Sequence, residues 1–365
     1  MQVGRVDVHG AGADARLTRA QGGRLMESVT VTFASYLEPE HVRRIAAVDP
    51  RVDVRYDPDL LAPPRFAADH TGRPDFRRTP EQERRFLAHV ASADVLYDVD
   101  RPLAAKLPEL APRLKWIQFT SSGVGPFILQ NGLNRPGVLL TNAAGIHAVP
   151  LAEHVLLSLL YFWKDVPARR REQLAHVWER YAGRELRGST VLVVGLGAVG
   201  QEVARTCRAN GLRVIGMRRR PVADPASLHA DAVVPPDRLL EVLPTVDAVV
   251  LIAPHTPETE GMFGAAAFAA LKPGAVFVNV ARGQLVDEPE LVAALRSGRL
   301  GGAALDVAAV EPLPTSSPLW DLPNVLITAH SASTVDRENG RLTDLFCDNL
   351  RRFLDGAPLR NLLEF

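Results

Sequence analysis

The chain has only two cysteines in 365 residues, Cys207 and Cys347, far apart and without metal-ligand spacing. That pattern argues for two inert thiols in a reducing compartment, not for a disulfide framework or a thiolate metal site. It also lacks charge of either sign in excess: 42 basic residues face 42 acidic ones. No global field is left to favour nucleic acid or an anionic membrane surface. Lysine is scarce, with Lys106, Lys115, Lys164 and Lys272 the only four, so nearly every cation is arginine and a single arginine is weak evidence for a site. No apolar run reaches the roughly 18 residues of a membrane span. The first residues carry charges but no apolar leader core, so a signal peptide is not expected and the cytoplasm is the expected location.

What is present is an average globular composition, 47% hydrophobic and 23% charged, long enough for two domains. Residues 1–26 read as a loose extension. "SVTVTFASY" (28–36) is strand-like, and further strand patterns recur at 52–56, 94–98, 114–120 and 137–142. A helix is expected at 80–92, with Pro80 in its first turn. The stretch 58–80, rich in Pro, Arg and Asp, reads as a long surface loop. Pro150 to Lys164 is a strongly apolar helix pattern, followed by an amphipathic, charged stretch at 169–181. After Gly188 a second series begins, with strands at 190–194, 213–217, 231–234, 247–252, 275–280, 302–307 and 325–328. Residues 287–298 form a helix with Asp287 as N-cap, Glu290 completing a capping box and Gly298 as stop. A last amphipathic helix spans 339–354. Strands alternating with helices argue for an α/β fold with doubly wound parallel sheets. No internal repeat is visible.

"VLVVGLGAVGQEVART" (191–206) is an apolar strand, a glycine turn and a helix. In that context G-x-G-x-x-G has a physical meaning. Gly195 permits the tight turn, Gly197 lets the backbone approach a pyrophosphate, and Gly200 lets helix and strand pack closely. Ala198 and Val199 open the helix, whose free N–H groups and dipole favour phosphate. The next strand ends in "RVIGMRRRP" (213–221). A dinucleotide site commonly places a carboxylate there for the adenosine ribose. Here Arg218 and Arg219 stand in its place, and a guanidinium pairs with a 2′-phosphate that a carboxylate would repel. NADP(H) is therefore expected over NAD(H).

Three further motifs fall at strand ends of the second series. "VFVNVARGQLVDE" (276–288) delivers Arg282, "LDVAAVEPLP" (305–314) delivers Asp306 and Glu311, and "PNVLITAHSAS" (323–333) delivers His330. Ligands of open α/β sheets bind beyond the carboxyl ends of the strands, so these groups can converge. Moving a hydride onto a 2-oxo acid needs a permanent cation for the carboxylate and carbonyl, which Arg282 offers. It also needs a proton donor near neutral pH, which His330 offers, and a carboxylate to hold the imidazole, for which Glu311 is the candidate. Asp306 is either that carboxylate partner or a contact to the nicotinamide amide. His147 and His154 read as structural.

These motifs, with "APHTPETEG" (253–261), "SSGVG" (121–125) and "TNAAGIHAVPLAEH" (141–154), make the chain similar to the D-isomer-specific 2-hydroxyacid dehydrogenase family, its glyoxylate/hydroxypyruvate reductases in particular. The resemblance runs over about residues 28–355. It implies two Rossmann-like domains, the substrate domain being discontinuous and flavodoxin-like: 1–148 with 331–365 for substrate, 149–330 for the dinucleotide. It implies hydride transfer between NAD(P)H and a small 2-oxo or D-2-hydroxy acid. Arg282 would bind substrate, His330 would be the acid/base and Glu311 its partner, while Asp306 would contact the nicotinamide carboxamide. Pro254 and Thr256 would line the cofactor, and the backbone around Ser122, Gly123 and Val124 would hold the substrate carboxylate. A homodimer through the cofactor domains is implied, with no metal, nucleic acid or membrane partner.

Two departures stand out: His255 replaces a commonly apolar residue, and "SSGVGPF" lacks an acidic residue that often follows the valine. Formate dehydrogenases of this superfamily pair the histidine with Gln, which Glu311 argues against, and phosphite oxidation stays open. Only 35 residues (365 less 330) follow His330, an argument against a phosphoglycerate enzyme with a regulatory tail. From another class, a non-catalytic dinucleotide-sensing co-repressor could use the same fold as an interaction module.

Overall fold

The computed structural model describes residues 17–19 and 25–365. The loose extension expected over 1–26 lies mostly outside the described residues; within them, β1 (Leu17–Arg19) and β2 (Leu25–Glu27) pair antiparallel. The chain divides into two compact units, Met1–Ala144 with Asp336–Phe365, and Gly145–Val335.

The first unit holds a five-stranded parallel sheet built from β3 (Val29–Phe33), β4 (Val52–Arg55), β5 (Val95–Tyr97), β6 (Trp116–Gln118) and β7 (Leu139–Thr141). Its order is β4-β3-β5-β6-β7, the flavodoxin-like arrangement. β5 and β6 are three residues each and fully buried, so β5 reads as a plain apolar run and β6 as one that ends in the buried Gln118. Helix Glu338–Leu354 returns to this unit and lays Phe346 flat against the Trp116 ring, 5.1 Å between centroids. The segment 58–80 is not simply a surface loop. Leu60 and Leu61 are buried in the core, and the Asp69 carboxylate gathers the Arg65 guanidinium and the amides of Arg65, Thr71 and Gly72.

The second unit holds seven parallel strands: β8 (Thr190–Val194), β9 (Arg213–Met217), β10 (Ala232–Val234), β11 (Ala248–Leu251), β12 (Ala275–Asn279), β13 (Leu300–Leu305) and β14 (Val325–Ile327). Their order, β10-β9-β8-β11-β12-β13-β14, is doubly wound with the reversal between β8 and β11. The apolar helix Ala148–Trp163 packs on helix Ala198–Ala209 and on β12 and β13. The helix after it, Val166–Leu174, stops early. His176 takes a left-handed conformation (φ 56°), and the Val177 amide donates to Glu172 O at 2.9 Å, a Schellman-type ending with histidine where glycine is usual. In helix Glu288–Arg296 the Asp287 side chain accepts from the Glu290 amide at 3.2 Å, half of the expected box.

One device recurs in both units. An aspartate preceding a strand accepts an amide at the start of its neighbour: Asp94 from Thr30 at 3.0 Å, Asp247 from Thr190 at 2.8 Å, and Asp231 from Val214 at 2.7 Å. Each carboxylate satisfies a donor that the sheet leaves open and so fixes register. Among the described residues no helix is long and apolar enough to cross a membrane, and no cluster of His, Cys, Asp and Glu has metal-site geometry.

Candidate active site

Because all seven strands of the second unit run parallel, their carboxyl ends lie along one edge. Gly195 follows β8, Arg218 follows β9, the 252–256 segment follows β11, Arg282 follows β12, Asp306 follows β13 and His330 follows β14.

The glycine turn sits at the switch point. Gly195 has φ 106°, and a Cβ there would lie 2.8 Å from the Ala253 amide nitrogen. A Cβ on Gly200 would lie 1.9 Å from Gly195 O, so only glycine lets the helix start this close to the strand. Gly197 differs: its φ is an ordinary −77°, and a Cβ would meet nothing within 4 Å. Protein packing does not require glycine there. Gly197 and Ala198 are exposed at the start of a 12-residue helix, which leaves the backbone there open to the approach of a ligand.

Beyond β9, the Arg218 amide donates to Val234 O at 3.2 Å and its side chain is half-buried, while Arg219 and Arg220 are exposed. The loop after β11 is tied on itself. Thr259 Oγ1 accepts from the Thr256 amide and donates to Pro254 O, both at 2.8 Å. A hydrogen bond from Thr256, with a smaller contribution from the Arg219 guanidinium, holds the Glu258 carboxyl below its usual range. His255 lies 3.8 Å from Glu260.

Arg282 is half-buried and donates to Ala281 O at 2.6 Å; among the described residues no carboxylate pairs with it. Its turn is shaped by Asn279, which donates to Arg282 O at 3.1 Å and accepts from the Ala281 amide at 3.0 Å. The turn abuts the Glu311 loop. A Cβ on Gly283 would be 1.9 Å from the Ala308 carbonyl carbon, and Gln284 donates to Ala309 O at 3.0 Å. Glu311 accepts the Ala308 amide at 3.2 Å and lies 2.8 Å from His330 Nδ1. Since a carboxylate only accepts, Nδ1 carries the proton and Nε2 is left for another partner.

Asp306 has a different job. It is 4% exposed, and one oxygen, Oδ1, takes the Thr328 hydroxyl at 2.6 Å and the amides of Ser331 and Ala332 at 2.8 and 3.0 Å. Its own carbonyl takes the His330 amide at 2.8 Å. Asp306 thus organises the backbone on both sides of His330, which sits at φ 50°, a conformation uncommon outside glycine. Neither that use nor the parts of Asn279 and Gly283 follow from spacing, although the Asn in "VNVARG" precedes a forced turn. His154, on the helix packed against β13, has its pKa lowered by burial against an opposing pull from Asp306, and its Nε2 is buried without a partner among the described residues.

Ser122, Gly123 and Val124 stand on the first unit, past β6; Ser122 and Gly123 are exposed and Val124 is buried. Asn142 donates to Ser122 O at 2.9 Å.

A doubly wound sheet with a phosphate-type glycine turn at its switch point defines a Rossmann dinucleotide-binding unit. The family described as "D-isomer specific 2-hydroxyacid dehydrogenase, NAD binding domain" matches residues 156–332. A D-isomer specific 2-hydroxyacid dehydrogenase family protein from Aeromonas salmonicida is 30% identical, with a TM-score of 0.75 over 93% of this chain and 99% of that one. The NADPH-dependent glyoxylate/hydroxypyruvate reductase of Sinorhizobium meliloti, solved with NADP and sulfate, is 27% identical, with a TM-score of 0.70 over 92% of this chain and 98% of that one. D-3-phosphoglycerate dehydrogenase of Mycobacterium leprae is 36% identical over 279 residues, 74% of this chain and 51% of that protein. The chain spans about half the length of the phosphoglycerate dehydrogenases it matches. This chain belongs to the D-isomer specific 2-hydroxyacid dehydrogenase family.

Proposed function

We propose that the protein reduces a small 2-oxo acid to the D-2-hydroxy acid at the expense of NAD(P)H. The observation that carries this is the His330–Glu311 pair, 2.8 Å apart, on the same sheet edge as the glycine turn. When bound, the reduced dinucleotide supplies the hydride. Arg282, a guanidinium that no carboxylate pairs with among the described residues, grips the substrate carboxylate and polarises the carbonyl oxygen. His330 gives its Nε2 proton to that oxygen, and Glu311 on Nδ1 stabilises the imidazolium before transfer and fixes the ring. A dinucleotide domain of residues 149–330, lying within the second unit (Gly145–Val335), holds the cofactor through Gly195, Gly197, Ala198, Val199 and Gly200, with Pro254 and Thr256 lining the site. Asp306 acts on the nicotinamide side, where its hold on the 328–332 backbone would serve both roles. A substrate domain of residues 1–148 with 331–365, built on the first unit, offers Ser122, Gly123 and Val124 to the substrate carboxylate.

NADP(H) is the preferred cofactor in this reading, with Arg218 and Arg219 taking the 2′-phosphate; the Sinorhizobium reductase, solved with NADP, supports it. Glyoxylate and hydroxypyruvate, which that enzyme's name carries, are the first substrates to try. The protein works as a homodimer through its cofactor units. Its Trp178 is 99% exposed, beside exposed Leu174, Val177 and Tyr181, the kind of large apolar anchor that interfaces bury. The test is a panel of 2-oxo acids with NADPH and NADH, together with Kd values for both cofactors before and after Arg218→Asp and Arg219→Asp. Turnover and a collapsed NADPH preference in the variants are expected. An unchanged Kd ratio in both variants would overturn the cofactor assignment, and no turnover with any acid would overturn the activity.

A further inference from the structure

The strand edge that carries Ser122, Gly123 and Val124 is wired to a distant part of the chain. Asn142, 8% exposed, donates through Nδ2 to Ser122 O at 2.9 Å and accepts the Ala144 amide on Oδ1 at 3.0 Å, while the Ala143 amide donates to Ser121 O at 3.2 Å. Asn142 is itself held. Its amide donates to Asn361 O at 3.2 Å, and Asn361 Nδ2 donates to both Asn142 O (3.1 Å) and Ala144 O (2.9 Å). Asn361 has φ 57°, a left-handed conformation that asparagine tolerates and that directs one amide at two carbonyls.

The same segment is fixed from two other sides. The Leu363 amide donates to Leu140 O at 2.8 Å, adding a short antiparallel partner to the edge strand β7. Asn349, fully buried on helix Glu338–Leu354, accepts the Arg360 amide at 2.7 Å and donates to Arg360 O and to Gln118 Oε1, both at 3.1 Å. Gln118 accepts the Thr141 hydroxyl at 2.8 Å, and that hydroxyl accepts the Trp116 indole N–H at 2.8 Å. Every buried side chain in this chain of contacts is satisfied, which makes it stiff. It ends at two places that matter: the Ser122 carbonyl, and Ala144, the last residue before the chain passes to the second unit at Gly145 (φ 91°).

We infer that Asn142 and Asn361 are positioning residues, a latch through which the segment around residue 361 sets the orientation of the Ser122–Val124 backbone and pins the crossing at Ala144. The inference rests on the reading of Ser122–Val124 as the loop that holds the substrate carboxylate. A peptide plane whose carbonyl is clamped cannot turn its following N–H freely, so clamping Ser122 O orders the Gly123 amide. The latch acts on substrate binding and not on the dinucleotide, whose cradle is built from other elements.

Asn361→Gly isolates the effect, since glycine keeps the left-handed backbone and removes only the two side-chain hydrogen bonds. Asn142→Ala removes the clamp directly. Hydrogen–deuterium exchange of the full chain is the primary readout and needs no activity. Amides of 121–125 and 142–146 should exchange faster in both variants, with 190–200 unchanged. Where the wild type turns over a 2-oxo acid, KM for that acid should rise roughly 5–30-fold, the effect of one or two lost hydrogen bonds, with kcat nearly kept and cofactor Kd unchanged. Unchanged exchange at 121–125 in both variants overturns the latch. So does a fall in kcat with KM constant. Absent turnover in the wild type overturns the proposed activity instead, while the exchange result still decides whether the latch exists.

Discussion

Asp306 offers the sharpest test of how the His330 segment is built. Replacing it with Asn keeps an oxygen acceptor and removes the charge from three hydrogen bonds, those from Thr328, Ser331 and Ala332. Hydrogen bonds to a charged acceptor contribute about 1.5–3 kcal/mol and neutral ones about 0.5–1.5, so the change costs on the order of 1 kcal/mol per bond, about 3 in all. Asp306→Ala leaves the hydroxyl and two amides without their acceptor. Ser331 is exposed and regains water, which keeps the cost near 3–5 kcal/mol instead of higher. For a unit of this size each kcal/mol moves Tm by about 2–4 °C, so calorimetry should show the transition of the second unit falling by roughly 6–12 °C in Asp306→Asn and further in Asp306→Ala. Exchange at 328–332 should rise in step, because the left-handed backbone at His330 depends on those bonds. Turnover should fall more than stability alone explains, since the imidazole loses its fixed place opposite Glu311. A Tm within about 2 °C of wild type in Asp306→Ala, with exchange at 328–332 unchanged, would refute the assignment of Asp306 as organiser of this segment.

Other outcomes follow from the same contacts. Burial alone would push the Asp69 carboxyl up, but the Arg65 guanidinium and the amides of Arg65 and Gly72 outweigh it and bring the pKa from 3.8 to about 2. A folded value below the unfolded one stabilises the protein above about pH 4 and is lost as pH falls toward 2; Asp69→Asn should remove about 2 kcal/mol at pH 7 and flatten the acid limb of the stability profile. Gly200→Ala should abolish dinucleotide binding and destabilise the fold, while Gly197→Ala should leave Tm near wild type and weaken only the dinucleotide, a contrast that thermal melts and cofactor titration would read together. Burial pushes the Cys207 thiol up to about 12 and raises Cys347 as well, so a thiol reagent should label neither until the protein unfolds. Trp178→Ser should shift a dimer toward monomer in sedimentation velocity with little change in Tm; an unaltered dimer would remove Trp178 from the interface.

Much of the frame was legible because parallel strands buried on both faces are continuous apolar runs. Val191–Val194, Val214–Met217 and Ala248–Leu251 are of that kind, and β13 starts at Leu300, before the expected 302, because Gly301 and Gly302 masked its beginning. The candidate site was legible for a related reason: groups at successive strand ends of a parallel sheet share an edge without any knowledge of loop paths. What stayed hidden depended on distance along the chain. The clasp of Asn361 on Asn142 joins residues separated by 219 positions; Asn142 lies in the "TNAAG" motif, but no local pattern points from it to Asn361. Asp94, Asp231 and Asp247 look like ordinary residues before a strand until the neighbouring strand's amide is placed beside them. In the 58–80 segment the abundance of Pro, Arg and Asp obscured Leu60 and Leu61, which a charged loop nonetheless carries into the core. At 169–181 the amphipathic pattern continued past the point where His176 turns the chain out of the helix.

The most direct test of the central claim sets His330→Ala beside the wild-type protein, with glyoxylate and hydroxypyruvate as substrates. Cofactor Kd is measured by fluorescence titration and turnover by loss of NADPH absorbance. Expected are turnover in the wild type, a loss of at least about 100-fold in the variant, as for removal of a general acid, and a cofactor Kd that does not change. A variant that retains full turnover, or one whose cofactor binding collapses along with it, would contradict the role assigned to His330 and with it the chemistry proposed for this site.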